Sequence, residues 1–193
     1  MTGGPDAVGS GTDSRTDRVE LHAVGPHGDL AADSSFAVAL TGLWHEVSKA
    51  GGSVGFVPSV DRAAVAVVVA PEIEALRAGR EHAVALIQGR RLIGFGVLRP
   101  RRGLQAHTGE IVKVMVHPDA EGRGHGSRMM TALLGRAREL GLERIDLSIR
   151  DGLGLADFYS RFGFVEWGRF PGSIRVAPGD DRDEIFYWAD LRS

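Results

Sequence analysis

The chain of 193 residues has no cysteine, which excludes a disulfide framework, a thiolate metal site and a cysteine nucleophile. It has no excess of charge either. Lys and Arg number 23 against 25 Asp and Glu, a formal charge of -2, so bulk electrostatics do not draw it to nucleic acid or to an anionic membrane. The longest apolar run, Ala63 to Ala70, is too short to span a bilayer. No basic stretch followed by an apolar one opens the chain, so no secretory leader and a cytoplasmic location are expected. Seven histidines are present, but none forms a His-x-x-x-His pair or joins carboxylates at ligand spacing, and no metal is predicted.

What is present is the composition of an ordinary globular protein. Residues 1–17 are poor in apolar side chains and are expected to form a disordered tail, with residues 18–193 as a single domain. Alternation predicts a strand over Val19 to Val24. Ser34 or Ser35 caps a predicted helix running to Lys49, before the glycine-rich loop Gly51 to Pro58. Asp61 caps a second helix that Pro71 should kink or divide. His82 to Gln88 and Leu92 to Leu98 read as a hairpin, and Arg99 to Gly109 as a basic, flexible loop. Met130, Leu133, Leu134, Ala137 and Leu140 have helical spacing, ended by Gly141. Ile145 to Ile149 alternates as a strand, and a short helix covers Leu155 to Arg161. Two last strands, Phe164 to Phe170 and Glu184 to Leu191, are joined by an acidic loop, P-G-D-D-R-D. The pattern predicts an α/β (α+β) fold, one layer of sheet with helices on its faces.

The chain is organised around Glu110 to Arg128, E-I-V-K-V-M-V-H-P-D-A-E-G-R-G-H-G-S-R. It reads as a strand, a proline-marked turn, a glycine and arginine loop, and the first turn of a helix. Glycines at 122, 124 and 126 leave backbone N–H groups bare, and the helix aims its positive dipole end at the same place. A phosphate-bearing ligand is expected there. No G-K-[ST] follows, so this is not a Walker A loop. The spacing G-x-G-x-G and the missing acidic strand end separate it from a dinucleotide fold.

The strand ending V-M-V-H-P, the loop E-G-R-G-H-G and, about thirty residues later, F-Y-S-R-F-G-F together resemble the GNAT acyltransferase superfamily. The resemblance covers roughly residues 80–169. It implies a GNAT-like acyl-CoA N-acyltransferase fold, with a central mixed, mostly antiparallel sheet flanked by helices, and acetyl-CoA as cosubstrate without a metal. It also implies that the backbone of Gly122, Arg123, Gly124, His125, Gly126, Ser127 and Arg128 grips the pyrophosphate. Val114, Met115 and Val116 would pair with the pantetheine, with an N–H of Met115 or Val116 as oxyanion donor. Two features depart from the family pattern: Glu121 replaces the usual Arg or Gln, placing a negative charge beside a polyanion, and the Asn common after the fifth strand is missing from D-G-L-G-L.

For proton transfer the resemblance points to Glu110 as the base that takes the proton of an incoming amine, and to Tyr159 as the acid that protonates the departing thiolate. Each has a plain structural alternative, a solvated strand-end charge for Glu110 and a packed core aromatic for Tyr159, and Asp146 or Asp151, at the ends of the fifth strand, could stand in for Glu110. The His125 side chain could hydrogen-bond a phosphate or face solvent, and solvent is the expectation. Lys113, in mid-strand among apolar residues, should lie on the face opposite Glu110. The segment G-R-F-P-G near the C-terminus, together with E-I-V-K-V-M-V-H-P, is similar to a GNAT subgroup that includes the tabtoxin-resistance acetyltransferase, which implies a small-molecule amine as substrate. Acetylation of a protein N-terminus or lysine, and a non-catalytic acyl-CoA sensor, stay open, as does a homodimer.

Overall fold

The computed structural model describes residues 18–26 and 29–192; the predicted tail, residues 1–17, lies outside them. Strands β1 (Val19–Val24), β2 (His82–Gln88), β3 (Arg91–Pro100), β4 (Thr108–Val116), β5 (Arg144–Arg150), β6 (Val165–Ala177) and β7 (Asp180–Asp190) form one sheet in the order β1-β2-β3-β4-β5-β7-β6. Only β4 and β5 pair in parallel; every other neighbour is antiparallel. The mixed, mostly antiparallel sheet is the predicted one.

Helices α1 (Asp29–Ala32), α2 (Ser34–Lys49) and α3 (Arg62–Arg77) cover one face, and α4 (His125–Glu139) the other, with α5 (Ala156–Ser160) leading into β6. Alternation sorts each strand between two cores. Ala83, Ala85, Phe95 and Val97 pack under α2 and α3, while Val84, Leu86, Ile145 and Leu147 pack with Met129, Met130 and Leu133 of α4. The α4 side is wholly apolar at its centre. The α2/α3 side encloses Glu72, only 4% exposed.

Local readings need correction in five places. Asp33, not a serine, caps α2, accepting the Ser35 N–H at 2.8 Å and the Ser35 hydroxyl at 2.7 Å. Pro71 neither divides α3 nor ends it; it is on the exposed side, and the carbonyl that loses its helical donor belongs to Val67, a solvent-facing residue. The segment Arg99 to Gly109 is strand at both ends. The acidic run Asp180 to Glu184 lies within β7, after a turn at Pro178-Gly179, with Arg175 paired to Asp181 and Arg182 to Asp180. Finally, β4 carries a bulge: Val112 faces Val97 and Met115 faces Phe95, so Lys113 and Val114 together oppose Gly96. The extra residue resets the alternation and turns Lys113 to the α2/α3 side, the side of Glu110.

Candidate active site

Parallel pairing between β4 and β5 extends only through Thr108, Gly109 and Glu110, opposite Arg144, Ile145 and Asp146. Beyond that point β4 keeps β3 as its neighbour and β5 keeps β7. Their facing edges are left unpaired and line a cleft. Two adjoining cavities of about 360 and 430 Å³ occupy it, sharing Val114, Val116, Glu121, Leu155 and Tyr159 as walls.

The glycine loop closes one end. Gly122 and Gly124 take φ 72° and 77°, a conformation that costs other L-residues about 1–2 kcal/mol. A Cβ built on either would meet nothing within 4 Å, so the backbone there is bare. Gly124 is the N-cap of α4 and supplies no side-chain acceptor; the N–H groups of the first turn are free for a ligand, with the helix dipole behind them. At Gly126 the glycine serves packing, since a Cβ would lie 3.3 Å from the Phe158 ring.

The side chains of this loop diverge from expectation. His125 is half-buried, not solvent-facing. Its Nδ1 is enclosed with no partner among the described residues, and burial, then Arg128 and Arg123, lower its pKa. It lines the second cavity with Gly122, Gly124, Gly126 and Ser127. Arg123 and Arg128 line neither cavity, and the Arg128 guanidinium points to the Val19 carbonyl at 3.4 Å. A cation that does reach the wall is Arg161, stacked 5.6 Å from the Phe158 ring centroid. Sequence reasoning passed over it, although it is the arginine of F-Y-S-R-F-G-F.

Tyr159 is 7% exposed and walls both cavities. Phe158 and Phe164 hold its ring edge-on at 5.0 and 6.0 Å. Burial pushes its pKa up to about 12, so the hydroxyl keeps its proton throughout the neutral range.

Glu110 stands where the pairing ends and lines neither cavity. Arg99 of β3 and Asp146 of β5 are its cross-strand neighbours. Asp146 is gripped at both oxygens by Arg101, one contact at 2.8 Å, and Ser148 donates to Glu184 at 2.6 Å. Burial and the Asp146 charge raise the Glu110 pKa, against the pull of Arg99 and Arg101. A half-buried carboxylate with a raised pKa is suited to receiving a proton near neutral pH. Arg99 and Arg101, read from the sequence as loop residues, thus set the electrostatics of this end.

A family model described as Acetyltransferase (GNAT) family matches residues 55–164, more than half of the chain. The chain belongs to the GNAT acetyltransferase family. Among curated proteins, the mycothiol acetyltransferase of Pseudarthrobacter chlorophenolicus is 32% identical over 87 residues, 44% of this chain but only 27% of that protein. Solved GNAT-type folds superpose over most of the chain. A Salmonella typhimurium protein described as an acetyltransferase, solved with acetyl-CoA, has a TM-score of 0.71 at 16% identity, covering 92% of this chain and 96% of its own. An N-acetyltransferase from Staphylococcus aureus Mu50 reaches 0.72 at 15% identity, with 91% and 100% covered. The ribosomal-protein-S18-alanine N-acetyltransferase of Escherichia coli reaches 0.66 at 14% identity, with 91% and 96% covered. At such identities the likeness is one of fold.

The residues at the loop fit the pyrophosphate that the family's cosubstrate carries. Bare glycine backbone and free first-turn N–H groups meet at one cavity, which His125 also lines. Glu121 is the dissonant member, exposed and bordering both cavities. No helix among the described residues is long and apolar enough to cross a membrane.

Proposed function

We propose that this chain, read as one acetyltransferase domain over residues 18–193, is an acetyl-CoA-dependent N-acetyltransferase acting on a primary amine of a small molecule. The observation that carries the reading is the parted β4/β5 edge with the α4 N-terminus at its end. The Gly122 to Ser127 backbone binds the pyrophosphate, and Val114 to Val116 offer an unpaired strand edge to the pantetheine. When bound, the cosubstrate supplies an acetyl thioester, whose C–S bond breaks as the amine nitrogen bonds to the carbonyl carbon. Glu110 takes the proton lost by the amine, directly or through water, which its raised pKa favours. Tyr159, protonated and walling the cleft, gives its proton to the departing thiolate.

A small acceptor is supported by the resemblance in Gly168 to Gly172, and by the fact that the curated relative is named for mycothiol rather than for a protein. The test is incubation with acetyl-CoA and a panel of small amines, following free thiol. Turnover with at least one small amine is expected, and turnover confined to peptide N-termini or lysines would move the substrate class to proteins. Glu121 favours a second reading, a sensor of acyl-CoA without turnover. Thermal stabilisation by acetyl-CoA with no thiol release for any acceptor would support that instead.

A further inference from the structure

Lys113 is the only non-glycine residue at positive φ among the described residues, at 56°. A lysine gains nothing locally from this conformation, which costs about 1–2 kcal/mol. Its side chain shows what holds it. Within the β4 bulge the ammonium contacts Glu72 of α3 and lies 5.0 Å from the centroid of the Trp44 ring of α2. The Trp44 indole N–H is itself fixed on the Val54 carbonyl at 2.7 Å. Glu72 also accepts from Arg99 at 3.2 Å, and Arg99 donates to Glu81 at 2.5 Å. One ammonium therefore ties the bulge to two helices and, through Glu72, to the neighbouring strand.

This network is a poor choice for stability alone. Buried ion pairs often contribute no more than apolar residues of the same shape, and here Glu72 Oε1 and Glu81 Oε2 are enclosed without partners, which adds a desolvation cost. Its placement suggests another use. The bulge lies just past the last parallel pair, Glu110 with Asp146, and Lys113 to Val116 line the cleft. A bulge re-aims the backbone that follows it.

We infer that Lys113 is a positioning residue: clamped between Glu72 and Trp44, it holds the β4 bulge so that a backbone N–H of the Val114 to Val116 edge points at the acyl carbonyl. The inference rests on the acetyltransferase reading. It assigns Lys113 no contact with substrate. The clamp also couples α2 and α3, on the Glu110 side of the sheet, to the strand edge that polarises the thioester.

The test uses acetyl-CoA labelled with ¹³C at the carbonyl, bound to the protein without an acceptor. In the wild type the bound carbonyl resonance should move downfield, as a hydrogen-bonded carbonyl does. Lys113→Gly removes the clamp and the backbone strain together, because glycine accepts this φ freely. It should keep coenzyme A affinity within about 3-fold, lose the carbonyl shift, and lose about 10–100-fold in kcat. Lys113→Arg, which keeps a cation for Glu72 and a planar group for Trp44, should restore part of both. Should Lys113→Gly fail to fold because Glu72 is left underpaired, Lys113→Gly with Glu72→Gln removes both ends and has the same readout. A carbonyl shift and kcat unchanged in either variant overturn the inference. Wild-type protein that binds no acetyl-CoA overturns this reading and the cofactor reading together; binding with an unshifted carbonyl overturns this one alone.

Discussion

On the function proposed above, the two ends of β4 solve different chemical problems with different materials. At its C-terminal end, the loop into α4 presents backbone: Gly122 and Gly124 at positive φ, a helix start without a side-chain cap, and arginines that turn away from the cavity. At its N-terminal end almost everything is side chain: Glu110, Asp146, Glu184, Arg99 and Arg101 act on one another across four strands. The difference teaches that a polyanion can be held by shape and fixed dipoles, whereas a proton acceptor must be tuned by charges from distant parts of the chain. Substitutions that change shape should therefore matter most at the loop end. At the other end, substitutions that change only charge should matter.

The largest effect is expected at Gly124. Gly124→Glu forces a side chain into the left-handed region and sets bulk and negative charge where a phosphate must approach. Coenzyme A affinity should fall by at least about 100-fold, measured by calorimetric titration. Gly124→Ala, strained but uncharged and small, should lose less. If Gly124→Glu still binds coenzyme A, the loop is not the grip, and the contrast between the ends of β4 fails.

Next comes Glu110→Gln, which keeps shape and removes the charge. Turnover should drop about 10²–10⁴-fold with coenzyme A affinity nearly unchanged. The fold should not suffer. A carboxylate whose folded pKa is raised contributes favourably only below its unfolded value, and that contribution is lost as pH rises through the raised one. At neutral pH the amide should thus leave Tm equal or higher. Unaltered turnover would return Glu110 to a strand-end charge.

A subtler change at the same end is Asp146→Asn. Asp146 helps to raise the Glu110 pKa, and it occupies Arg101, which lowers it. Removing the Asp146 charge and releasing Arg101 both push Glu110 down. The acid limb of the kcat/KM profile, where the base is lost to protonation, should move to lower pH. An unmoved limb would mean that another group titrates there.

The same contrast explains what could be read before folding. Glycines alone announce little, since Gly55, Gly103 and Gly141 are as bare, but the G-x-G-x-G spacing together with F-Y-S-R-F-G-F pointed to the family that the match bears out. The strands and α4 were legible for a similar reason, since their periodicity is local. The environment of Glu110 was not, because Arg99 and Arg101 look like loop charges until β3 is seen to run through Pro100 and bring them beside it. Lys113 was visible as an oddity, but its face was misjudged because nothing in V-K-V announces an extra residue in the ladder. Its partner did leave a trace. Glu72 sits on the apolar stripe of α3, at helical spacing from Val65, Val69 and Leu76, and an acid on one core stripe with a base in one core strand is the mark of a buried pair.

The smallest expected effect tests the loop end from its weak side. Glu121 is exposed and borders both cavities, and it has no ion pair among the described residues. Its charge acts on the bound polyanion through water and salt rather than through contact, so Glu121→Gln should tighten coenzyme A binding by only about 2–5-fold near physiological ionic strength. The gain should shrink as salt is raised, because screening removes long-range repulsion while leaving backbone hydrogen bonds intact. Titrations of both proteins at two ionic strengths separate the cases. A gain of that size that fades with salt fits a backbone grip with an unhelpful neighbour. A gain far larger, or one that salt does not touch, would mean that the Glu121 side chain occupies the phosphate position itself, and the loop would then be better read as closed against the cofactor.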